Sequence, residues 1–383
     1  MKNILAILEQ INNIVLLLNA ESEVLYVSPS VKRILGYDSP NLLGNGWWKE
    51  TLVDINAEDL KLSIGKSIVL TKTNGGVQTE RKVRTSYGAE KWFLWNTTLA
   101  NDGNIISIGT DITDKKKVEL LMEQKNLSIL EKNEEINDSL NYAKRLQEVI
   151  LPSELKYSEG FSDAFLLYKP KDVVSGDFHW YHETEEVITV AVIDCTGHGV
   201  PGALLSVVGN SLLRNIVVKE GVVRPDQVLE RLDKEFLMSM SKDGELVARD
   251  GMDLSFITVY KQKEELHFSG AFRPLIQLRN GELNEFLGSR FPIGFYDDDR
   301  KLFDNNVIQL KKGDRYFMFT DGYADQFGGP SNKKLKKTQL KEMLLNSSDL
   351  PMVEQRDLLN YHFQNWKQKE PQTDDVLIIG IEY

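Results

Sequence analysis

The stretch AVIDCTGHGVPGALL, residues 191–205, joins an apolar strand-like run to an apolar helix-like run through a segment with three glycines. Asp194, its only acid, stands where the strand pattern ends. Glycine has no Cβ, so Gly197, Gly199 and Gly202 would let the backbone approach a bound group closely. The helix predicted to follow would direct the positive end of its dipole toward an anion. The stretch therefore predicts a strand-end carboxylate beside a loop that holds a charged ligand.

Four more aspartates stand beside strands or turns in the C-terminal half. Asp321 ends the strand-like MFTD, Asp374 and Asp375 open DDVLIIG, and Asp177 lies in KPKDVVSGDFHW. Burying several like charges together costs free energy unless a positive group compensates them. A carboxylate-rich site selects Mg²⁺ or Mn²⁺ rather than zinc. Two such ions about 4 Å apart would share a water and activate it for attack on a phosphoryl group.

The composition limits the class of protein. The chain has 383 residues, enough for two or three domains. Its 57 acidic and 46 basic side chains give a net charge of -11, which argues against nucleic acid or an anionic membrane as a partner, because both attract cationic surfaces. The single cysteine, Cys195, cannot form an internal disulfide. No signal peptide is visible, nor an apolar run of about 18 to 20 residues. We expect a cytoplasmic protein.

Residues 10–112 mix strand and helix patterns. The run INNIVLLLNAESEVLYVS predicts two strands around a turn, VKRILGY predicts a short helix, and VQTERKVRTS, EKWFLWNTTLA and NIISIGTDIT alternate like three antiparallel strands. This small α+β region resembles a PAS sensor domain. VLYVSPSVKRILGY is similar to the early strand and helix of that family, and ISIGTDITDKK to its closing strand and exit motif. We place the PAS domain at residues 1–113.

The resemblance leaves the ligand of the PAS domain open. Residues 1–178 contain no histidine and no cysteine, which argues against a haem held by histidine or a flavin bonded to cysteine. Four tryptophans could line a pocket, but core packing is the favoured interpretation. They are Trp47, Trp48, Trp92 and Trp95.

Residues 114–150 are charged and contain no proline or glycine, which predicts a long helix. A narrow seam recurs every seven positions at Met122, Ile129, Ile136, Ala143 and Ile150, with companions at Asn126, Asn133, Leu140 and Gln147. Such a seam favours a coiled coil with a second copy, and hence a homodimer. The alternative is that the helix packs on a flanking domain of its own chain. Because Pro152 cannot continue a helix, we place the linker at residues 114–152.

Residues 153–383 form the third predicted domain. Two helical runs, VPGALLSVVGNSLLRNIVV and RPDQVLERLDKEFLMSMS, follow its first strand. The strand-like runs are EVITVAVID, LSFITVYK, EELHFSGA, PLIQLRNG, NNVIQLKK, DRYFMFTDG and DVLIIGIEY. Strands joined by short turns, with helices grouped elsewhere, predict antiparallel sheets covered by helices. The expected class of the whole chain is α+β.

Five motifs of this domain occur in a familiar order. KPKDVVSGDFHW, VIDCTGHGVPGALL, DGMDLSF, MFTDGYADQFGG and TDDVLIIGI are similar in order and spacing to the SpoIIE-like branch of the metal-dependent PPM (type 2C) serine/threonine protein phosphatases. A single tripeptide such as TDG has little weight, but five motifs in order are specific. The resemblance covers about residues 160–383. It implies an αββα sandwich of two antiparallel sheets between helices.

The resemblance also implies a role for each acid. Asp194 corresponds to the aspartate that bridges two Mn²⁺ or Mg²⁺ ions, and the backbone carbonyl of Cys195 to a ligand of the second ion. Asp321 and Asp374 correspond to ligands of the first ion, and Asp177 to an acid that helps to hold the second. Asp194, Asp321 and Asp374 are therefore the expected catalytic residues.

Neighbouring residues keep more than one interpretation. Asp325 matches an acid that some relatives use for a third ion, but an acid in the first turn of a helix would look the same. His198 could protonate the leaving group, although a hydrogen bond that stabilises the loop is favoured. Asp375 is expected to support a metal ligand or to cap a backbone segment rather than to bind an ion. Asp250 and Asp253 of DGMD are not included among the expected metal ligands.

The resemblance implies a function with one competitor. We expect a sensor-regulated phosphatase that hydrolyses phosphoserine or phosphothreonine on a partner protein, in analogy with the family a STAS-type anti-sigma-factor antagonist. The competitor is a degenerate phosphatase domain that binds a phosphoprotein and relays the state of the sensor. A histidine kinase is set aside because residues 114–150 contain no phosphoacceptor histidine. A cysteine phosphatase is set aside because Cys195 lacks a phosphate-binding loop that ends in arginine.

Overall fold

The structure is a computed structural model of the chain. It describes residues 10–53, 55–71, 76–152, 155–242, 245–246, 250–294 and 301–383. The chain forms two compact units, residues 1–133 and 134–383. The predicted domain boundaries at 113 and 152 stay predictions, and the predicted start of the third domain at residue 153 lies outside the described residues.

The N-terminal unit is one antiparallel sheet with short helices, as its alternating sequence predicts. The strands lie in the order β2-β1-β5-β4-β3. They are β1 (Asn13–Leu18), β2 (Val24–Val27), β3 (Val77–Arg84), β4 (Glu90–Leu99) and β5 (Ile105–Asp111). The helices are α1 (Ser30–Leu35), α2 (Gly46–Thr51) and α3 (Ala57–Thr71), with a 3₁₀ turn at Ser39–Leu42. Alternate residues of β1 are buried, so one face of the sheet covers a core.

Three of the four tryptophans lie in this core. Trp47, Trp48 and Trp95 are buried, and the rings of Trp47 and Trp95 meet edge to face with centroids 5.5 Å apart. The same three residues border a small cavity of about 30 Å³. Trp92 is only partly buried and lies outside the core cluster. Core packing therefore accounts for three tryptophans, as predicted.

The predicted long helix is α4 (Thr113–Ile150), which has 38 residues. Asp111 Oδ1 accepts the backbone N–H of Thr113 at its start, 3.0 Å away. The seam residues Met122, Ile129 and Ile136 have 56–61% of their surface exposed. Gln147, a predicted companion of the seam, is 6% exposed and is buried against its own chain. Gln147 therefore packs against its own chain rather than along the predicted seam, and pairing of the seam with a second copy stays a prediction.

The C-terminal unit contains two antiparallel sheets. In the first the order is β16-β12-β11-β8-β7, with β15 paired to β11, and in the second it is β14-β13-β17-β20-β6. The strands of the first sheet are β7 (Phe178–Glu183), β8 (Val187–Cys195), β11 (Gly251–Tyr260), β12 (Glu265–Ala271), β15 (Ile293–Gly294) and β16 (Asn306–Gln309). Those of the second are β6 (Asp163–Lys169), β13 (Leu275–Arg279), β14 (Glu282–Phe286), β17 (Arg315–Phe319) and β20 (Val376–Glu382). Two short hairpins are β9 (Ser241–Lys242) with β10 (Glu245–Leu246), and β18 (Phe327–Gly328) with β19 (Lys333–Lys334).

Helices cover the outer face of each sheet. They are α5 (Leu155–Gly160), α6 (Gly199–Leu213) with a π-helical extension Arg214–Lys219, α7 (Pro225–Ser239), α8 (Gly322–Asp325), α9 (Lys337–Asn346) and α10 (Met352–Lys367). One apolar cluster joins α6 and α7 to the first sheet, a second lies between the sheets, and a third joins α9 and α10 to the second sheet. The unit is the predicted four-layer αββα sandwich.

The helical run Gly199–Lys219 has the length and mean hydropathy of a membrane span, with 44% of its most apolar window buried. This corrects the expectation that no such run is visible. Among its residues Leu205, Leu213 and Ile216 belong to the core of the first sheet. Burial in that core accounts for these three apolar residues, whereas Val200, Leu204, Val207 and Val218 are exposed.

Candidate metal centre

The site lies where strands of both sheets end. Asp194 is the second-last residue of β8, and the register of β8 and β11 places Asp253 directly opposite it. Asp321 follows β17 and Asp374 precedes β20, and these two strands are neighbours in the second sheet. Thr320 fixes this second pair, since it exchanges two hydrogen bonds with Leu377 of 3.0 and 3.1 Å. Acids distant in sequence thus meet at one edge of the sandwich.

The guanidinium of Arg273 lies among these acids. Its Nη2 donates to Asp194 Oδ2 and to Asp321 Oδ2, the latter at 2.8 Å, and is 3.3 Å from Asp253 Oδ2. The side chain is only 7% exposed. Its Nε is buried and has no hydrogen-bond partner among the described residues. Arg273 is therefore the positive group that compensates the acid cluster in this structure.

The turn before Arg273 directs its side chain into the site. Phe272 has a φ of +58°, a left-handed conformation that is uncommon for a residue with a side chain. A Cβ on Gly270 would lie 2.3 Å from the carbonyl oxygen of Arg273, and one on Gly288 2.7 Å from it. Two glycines therefore make room for this turn. Phe272 and Pro292 border an open cleft of about 350 Å³ that also has Asp194 and Asp253 in its wall.

Burial dominates the electrostatics of the acids. Burial, opposed by Arg273 and reinforced by the carboxylates around it, raises the pKa of Asp194 to about 7. Burial likewise raises the pKa of Asp253 and of Asp374. The carboxylates raise the pKa of Arg273, although its burial acts in the opposite direction. Each of these carboxyls is therefore harder to ionise than an exposed one, and a cation in the site would favour its ionised form.

Asp177 provides the test of whether this chain suits a cation. Its side chain is 3% exposed, and its Oδ2 has no hydrogen-bond partner among the described residues. Burial, followed by the charge of Asp194, raises the pKa of Asp177 well above its usual range. A buried oxygen of this kind needs a proton or a cation. Since hard cations prefer carboxylate oxygens, the donor set fits Mg²⁺ or Mn²⁺.

Asp375 supports the loop that carries Asp177. Its Oδ1 accepts the backbone N–H of Lys171 at 2.7 Å, and its Oδ2 that of Gly176 at 2.8 Å. The side chain of Asp375 is therefore committed to two backbone donors, whereas Asp374 is the member of the pair that lies near Asp321. A Cβ on Gly322 would lie 1.9 Å from the carbonyl oxygen of Asp375, so the glycine of TDG lets the two acid-bearing segments touch.

The glycines of the opening stretch bring loops together. A Cβ on Gly176 would lie 2.5 Å from the carbonyl oxygen of Gly197, and one on Gly202 2.3 Å from the same atom. The position of a Cβ on Gly176 is also 3.4 Å from the carbonyl oxygen of Cys195, the backbone group that the resemblance implies as a ligand. Burial raises the pKa of the Cys195 thiol well above its usual range, so this thiol is a poor nucleophile.

Two polar residues near the site are paired outside the acid cluster. His198 Nδ1 is 2.7 Å from Asp172 Oδ2, and Lys171 Nζ is 2.9 Å from His198 Nε2, so the contacts join two loops at the surface. This network is the loop-stabilising arrangement favoured for His198. Asp325 is 2.7 Å from Lys334 Nζ and exposed. It therefore forms an ion pair rather than joining the carboxylates around Arg273.

No group of three or more His, Cys, Asp or Glu side chains in the described ranges surrounds a point where an ion would fit. The carboxylates of Asp194 and Asp321 meet at Arg273 Nη2 instead. Sequence analysis missed Arg273 and left Asp253 outside the set. The signal for Asp253 was its position at the start of a strand within DGMD. Arg273 carries no such signal, because it follows an ordinary strand and is brought to the acids by the turn at Phe272.

Comparison with known proteins identifies the family of the C-terminal half. A profile of the family described as Stage II sporulation protein E (SpoIIE) matches residues 184–383. Phosphoserine phosphatase RsbU of Bacillus subtilis (strain 168) is 24% identical over 204 residues, which are 50% of this chain and 55% of RsbU. The chain thus spans about half the length of this curated relative.

Solved structures extend the comparison to the fold. The SiaA-PP2C domain of Pseudomonas aeruginosa is 30% identical with a TM-score of 0.60, and the alignment covers 66% of this chain and 98% of that domain. The PP2C phosphatase domain of SpoIIE from Bacillus subtilis, with a fragment of its regulatory domain, is 19% identical with a TM-score of 0.46 over 58% of this chain and 63% of the other. Because the family profile covers more than half of the residues, the chain belongs to the SpoIIE family, and its C-terminal unit has the PP2C-type phosphatase fold.

Proposed function

We propose that the C-terminal unit is a metal-dependent phosphatase that hydrolyses phosphoserine or phosphothreonine on a partner protein. The observation that carries the proposal is the convergence of Asp177, Asp194 and Asp321 at one edge of a PP2C-type sandwich, where Asp177 Oδ2 is buried without a hydrogen-bond partner among the described residues. The similarity to a relative named phosphoserine phosphatase supports the reaction class. An acid cluster that exceeds its internal positive charge supports a requirement for divalent ions.

The residues proposed to hold two Mn²⁺ or Mg²⁺ ions are Asp177, Asp194, Asp321 and Asp374, with the carbonyl of Cys195. When bound, such ions supply Lewis-acid activation of a water for attack on phosphorus and stabilise charge on the phosphoryl oxygens. The catalytic residues are Asp194, Asp321 and Asp374.

The other residues of the site hold the proposed metal ligands in position and shape the cleft beside them. Asp375 holds the 171–176 loop through two backbone hydrogen bonds, so that Asp177 is positioned without a conformational search. Thr320 ties Asp321 to β20. The cleft beside Asp194 is open on one side, with Phe272 and Pro292 at its border. An open cleft of this kind suits a phosphorylated side chain presented by a protein better than a small molecule that must be enclosed.

The alternative function is a degenerate phosphatase domain that binds a phosphoprotein and relays a signal. The position of Arg273 favours it, because a guanidinium bound to Asp194 and Asp321 already satisfies two of the proposed ligands. Against it, each of the principal acids is retained. An active phosphatase would hydrolyse a phosphoserine peptide, whereas a degenerate domain would only bind it.

The wider assembly is also proposed. Residues 1–113 are a PAS sensor, α4 carries the state of that sensor, and the exposed seam of α4 pairs with a second copy to give a homodimer. The proposed substrate is a STAS-type protein, and the proposed location is the cytoplasm, in keeping with a net charge of -11 and one cysteine.

Hydrolysis of a phosphoserine peptide with Mn²⁺ or Mg²⁺ tests the proposed function. Asp194→Asn and Asp321→Asn should each lower kcat/KM by about 100-fold or more, because each removes a charged ligand. Asp349→Asn makes the same chemical change at an exposed position and should leave kcat/KM unchanged. Binding of the phosphopeptide without hydrolysis by the parent protein would support the relay instead.

A further inference from the structure

Arg273 is a buried cation among the proposed metal ligands. We propose that Arg273 competes with divalent ions for the carboxylates of Asp194 and Asp321, so that an ion enters the site only in exchange for the guanidinium. Arg273 is then a positioning residue that sets the metal affinity of the unit. The inference rests on the proposed function, since it concerns the same acids.

The first support is where the contacts of Arg273 are made. One nitrogen, Nη2, contacts three carboxylates, of Asp194, Asp321 and Asp253. Two of these, Asp194 and Asp321, are the proposed ligands of the first ion. A carboxylate oxygen that accepts a hydrogen bond from a guanidinium has one lone pair fewer for a metal. A guanidinium and a divalent ion side by side also repel each other, which disfavours filling both positions at once.

The second support is that the hydrogen bonding of Arg273 is incomplete. Its Nε is buried without a partner among the described residues, although the side chain is only 7% exposed. A buried donor of a charged group that has no partner destabilises the state in which it is buried. The guanidinium therefore loses less free energy when it leaves the acids. Arg279, in contrast, donates from both Nε and Nη2 to Asp314, and its Nη2 also donates to Gln309. Arg273 therefore has the geometry of a counter-ion that can be displaced rather than of a structural clamp.

The third support is that the backbone can stay in place during the exchange. The turn at Phe272 is fixed by the close approach of Gly270 and Gly288 to the carbonyl of Arg273, and Ser255 Oγ donates to the carbonyl of Pro274 at 3.0 Å. The cleft beside Asp253 and Phe272 gives the side chain room outside the acid cluster. The exchange then needs only rotation about side-chain bonds.

The test measures Mn²⁺ binding by the full chain without substrate, from the electron paramagnetic resonance signal of free Mn²⁺. Arg273→Met keeps an unbranched side chain and removes the charge, so it should bind Mn²⁺ about tenfold more tightly than the parent. Arg273→Lys keeps a competing charge on a shorter group and should fall between the two. Arg214→Met, at an exposed position, should match the parent.

The outcomes separate this inference from the proposed function. If Arg273→Met binds Mn²⁺ no more tightly than the parent, Arg273 does not compete with the ion. If Asp194→Asn has also lost the Mn²⁺ binding that the parent shows, the proposed metal site still stands. Absence of Mn²⁺ binding in the parent overturns both.

A second measurement on the parent protein does not depend on any variant being stable. The Nε–H signal of Arg273 in a nitrogen-15 spectrum, assigned by its loss in Arg273→Lys, should shift when Mg²⁺ is added. An unchanged signal at saturating Mg²⁺ would show that the guanidinium stays where it is, and the competition would be refuted.

Discussion

At the scale of single residues, the site depends on the absence of side chains as much as on the acids. Gly322 has no positive φ, so its backbone would accept alanine, but the added Cβ would lie 1.9 Å from the carbonyl oxygen of Asp375 and 3.3 Å from the Cβ of Asp374. The glycine of TDG is required because two acid-bearing segments touch there. It has no part in binding by itself.

Gly322→Ala should therefore displace Asp374 and weaken Mn²⁺ binding by about tenfold or more, since a ligand moved by about 1 Å costs much of its contribution. Gly281→Ala is the control, because its φ of +77° carries backbone strain while a Cβ there meets nothing within 4 Å. That variant should lower the free energy of unfolding by about 1 kcal/mol and keep the Mn²⁺ affinity of the parent. Similar Mn²⁺ affinities for the two alanine variants would contradict the packing argument.

A second residue prediction concerns pH. Because the pKa of Asp194 is raised to about 7, the carboxyl is increasingly protonated as pH falls below that value, and protons then compete with ions. Mn²⁺ affinity should rise as pH rises through about 7. Isothermal titration calorimetry in two buffers of different ionisation enthalpy would show proton release on binding near pH 6. Binding without proton release at that pH would contradict the raised pKa.

At the scale of elements, α4 is anchored at both ends and exposed between them. At its start, Asp111 accepts the backbone N–H of Thr113 and lies 2.9 Å from Lys91 Nζ. Near its end, the Gln147 amide donates to Ser175 O at 2.7 Å and to Ser206 Oγ at 2.9 Å. Ser175 is two residues before Asp177. The last turns of α4 are thus connected by hydrogen bonds to the loop of a proposed metal ligand.

Gln147→Glu should weaken that connection, because it replaces the donor amide with an acceptor that faces a carbonyl, at a cost of about 1–3 kcal/mol. We expect a loss of about tenfold in Mn²⁺ affinity or in kcat/KM. Gln124→Glu makes the same change at an exposed position of α4 and should have no effect. Parent-like values for Gln147→Glu would exclude α4 as a route to the site.

The anchor at the start of α4 predicts a pH-dependent stability. Although burial acts in the opposite direction, the hydrogen bonds from Thr113 and the ion pair with Lys91 lower the pKa of Asp111 below 3.8. This stabilisation is therefore complete above about pH 4 and is lost as pH falls through the folded pKa.

Asp111→Ala should cost about 1 kcal/mol of unfolding free energy at pH 7 and at pH 5, and less near pH 3. Asp114→Ala, at an exposed acid of the same first turn, should cost less at all three. Urea unfolding followed by tryptophan fluorescence measures both variants. A difference that persisted at pH 3 would contradict the assignment.

At the scale of the whole molecule, the exposed seam of α4 predicts self-association. Ile129→Lys with Ile136→Lys places charge on the seam and should convert a dimer into a monomer in analytical ultracentrifugation. Leu127→Lys changes an equally exposed apolar residue off the seam and should leave the dimer intact. A parent protein that sediments as a monomer would exclude the coiled coil.

Much of the fold could be predicted because hydrophobic periodicity is a local signal. The five strands of the N-terminal sheet, α4, and seven strands and two helices of the C-terminal unit were predicted. Among the elements that were not predicted are strands β6, β7 and β14 and helices α5, α9 and α10. In β7 (FHWYHE) polar and aromatic residues replace the aliphatic pattern, and α9 and α10 show their apolar stripes only when the second sheet is in place to receive them.

Part of the candidate site could likewise be predicted from the sequence, and part of it could not. Asp194, Asp321 and Asp374 were identified because a carboxylate at the end of an apolar strand is visible in the chain itself, and Asp177 was identified from the motif KPKDVVSGDFHW. The roles of those acids as metal ligands stay predictions. Sequence could not show that Asp375 would bind the backbone of the 171–176 loop, or that Gln147 would turn away from the seam, because each contact joins residues distant in the chain.

The sequence by itself determined which residues could carry the chemistry and which family the C-terminal half belongs to, since both follow from residue types in order along the chain. Only the tertiary structure decided which charge stands among the acids. Arg273 reaches Asp194 and Asp321 through a left-handed turn at Phe272. Electrostatic compensation of buried carboxylates depends on distances in space, which are set by the packing of two sheets.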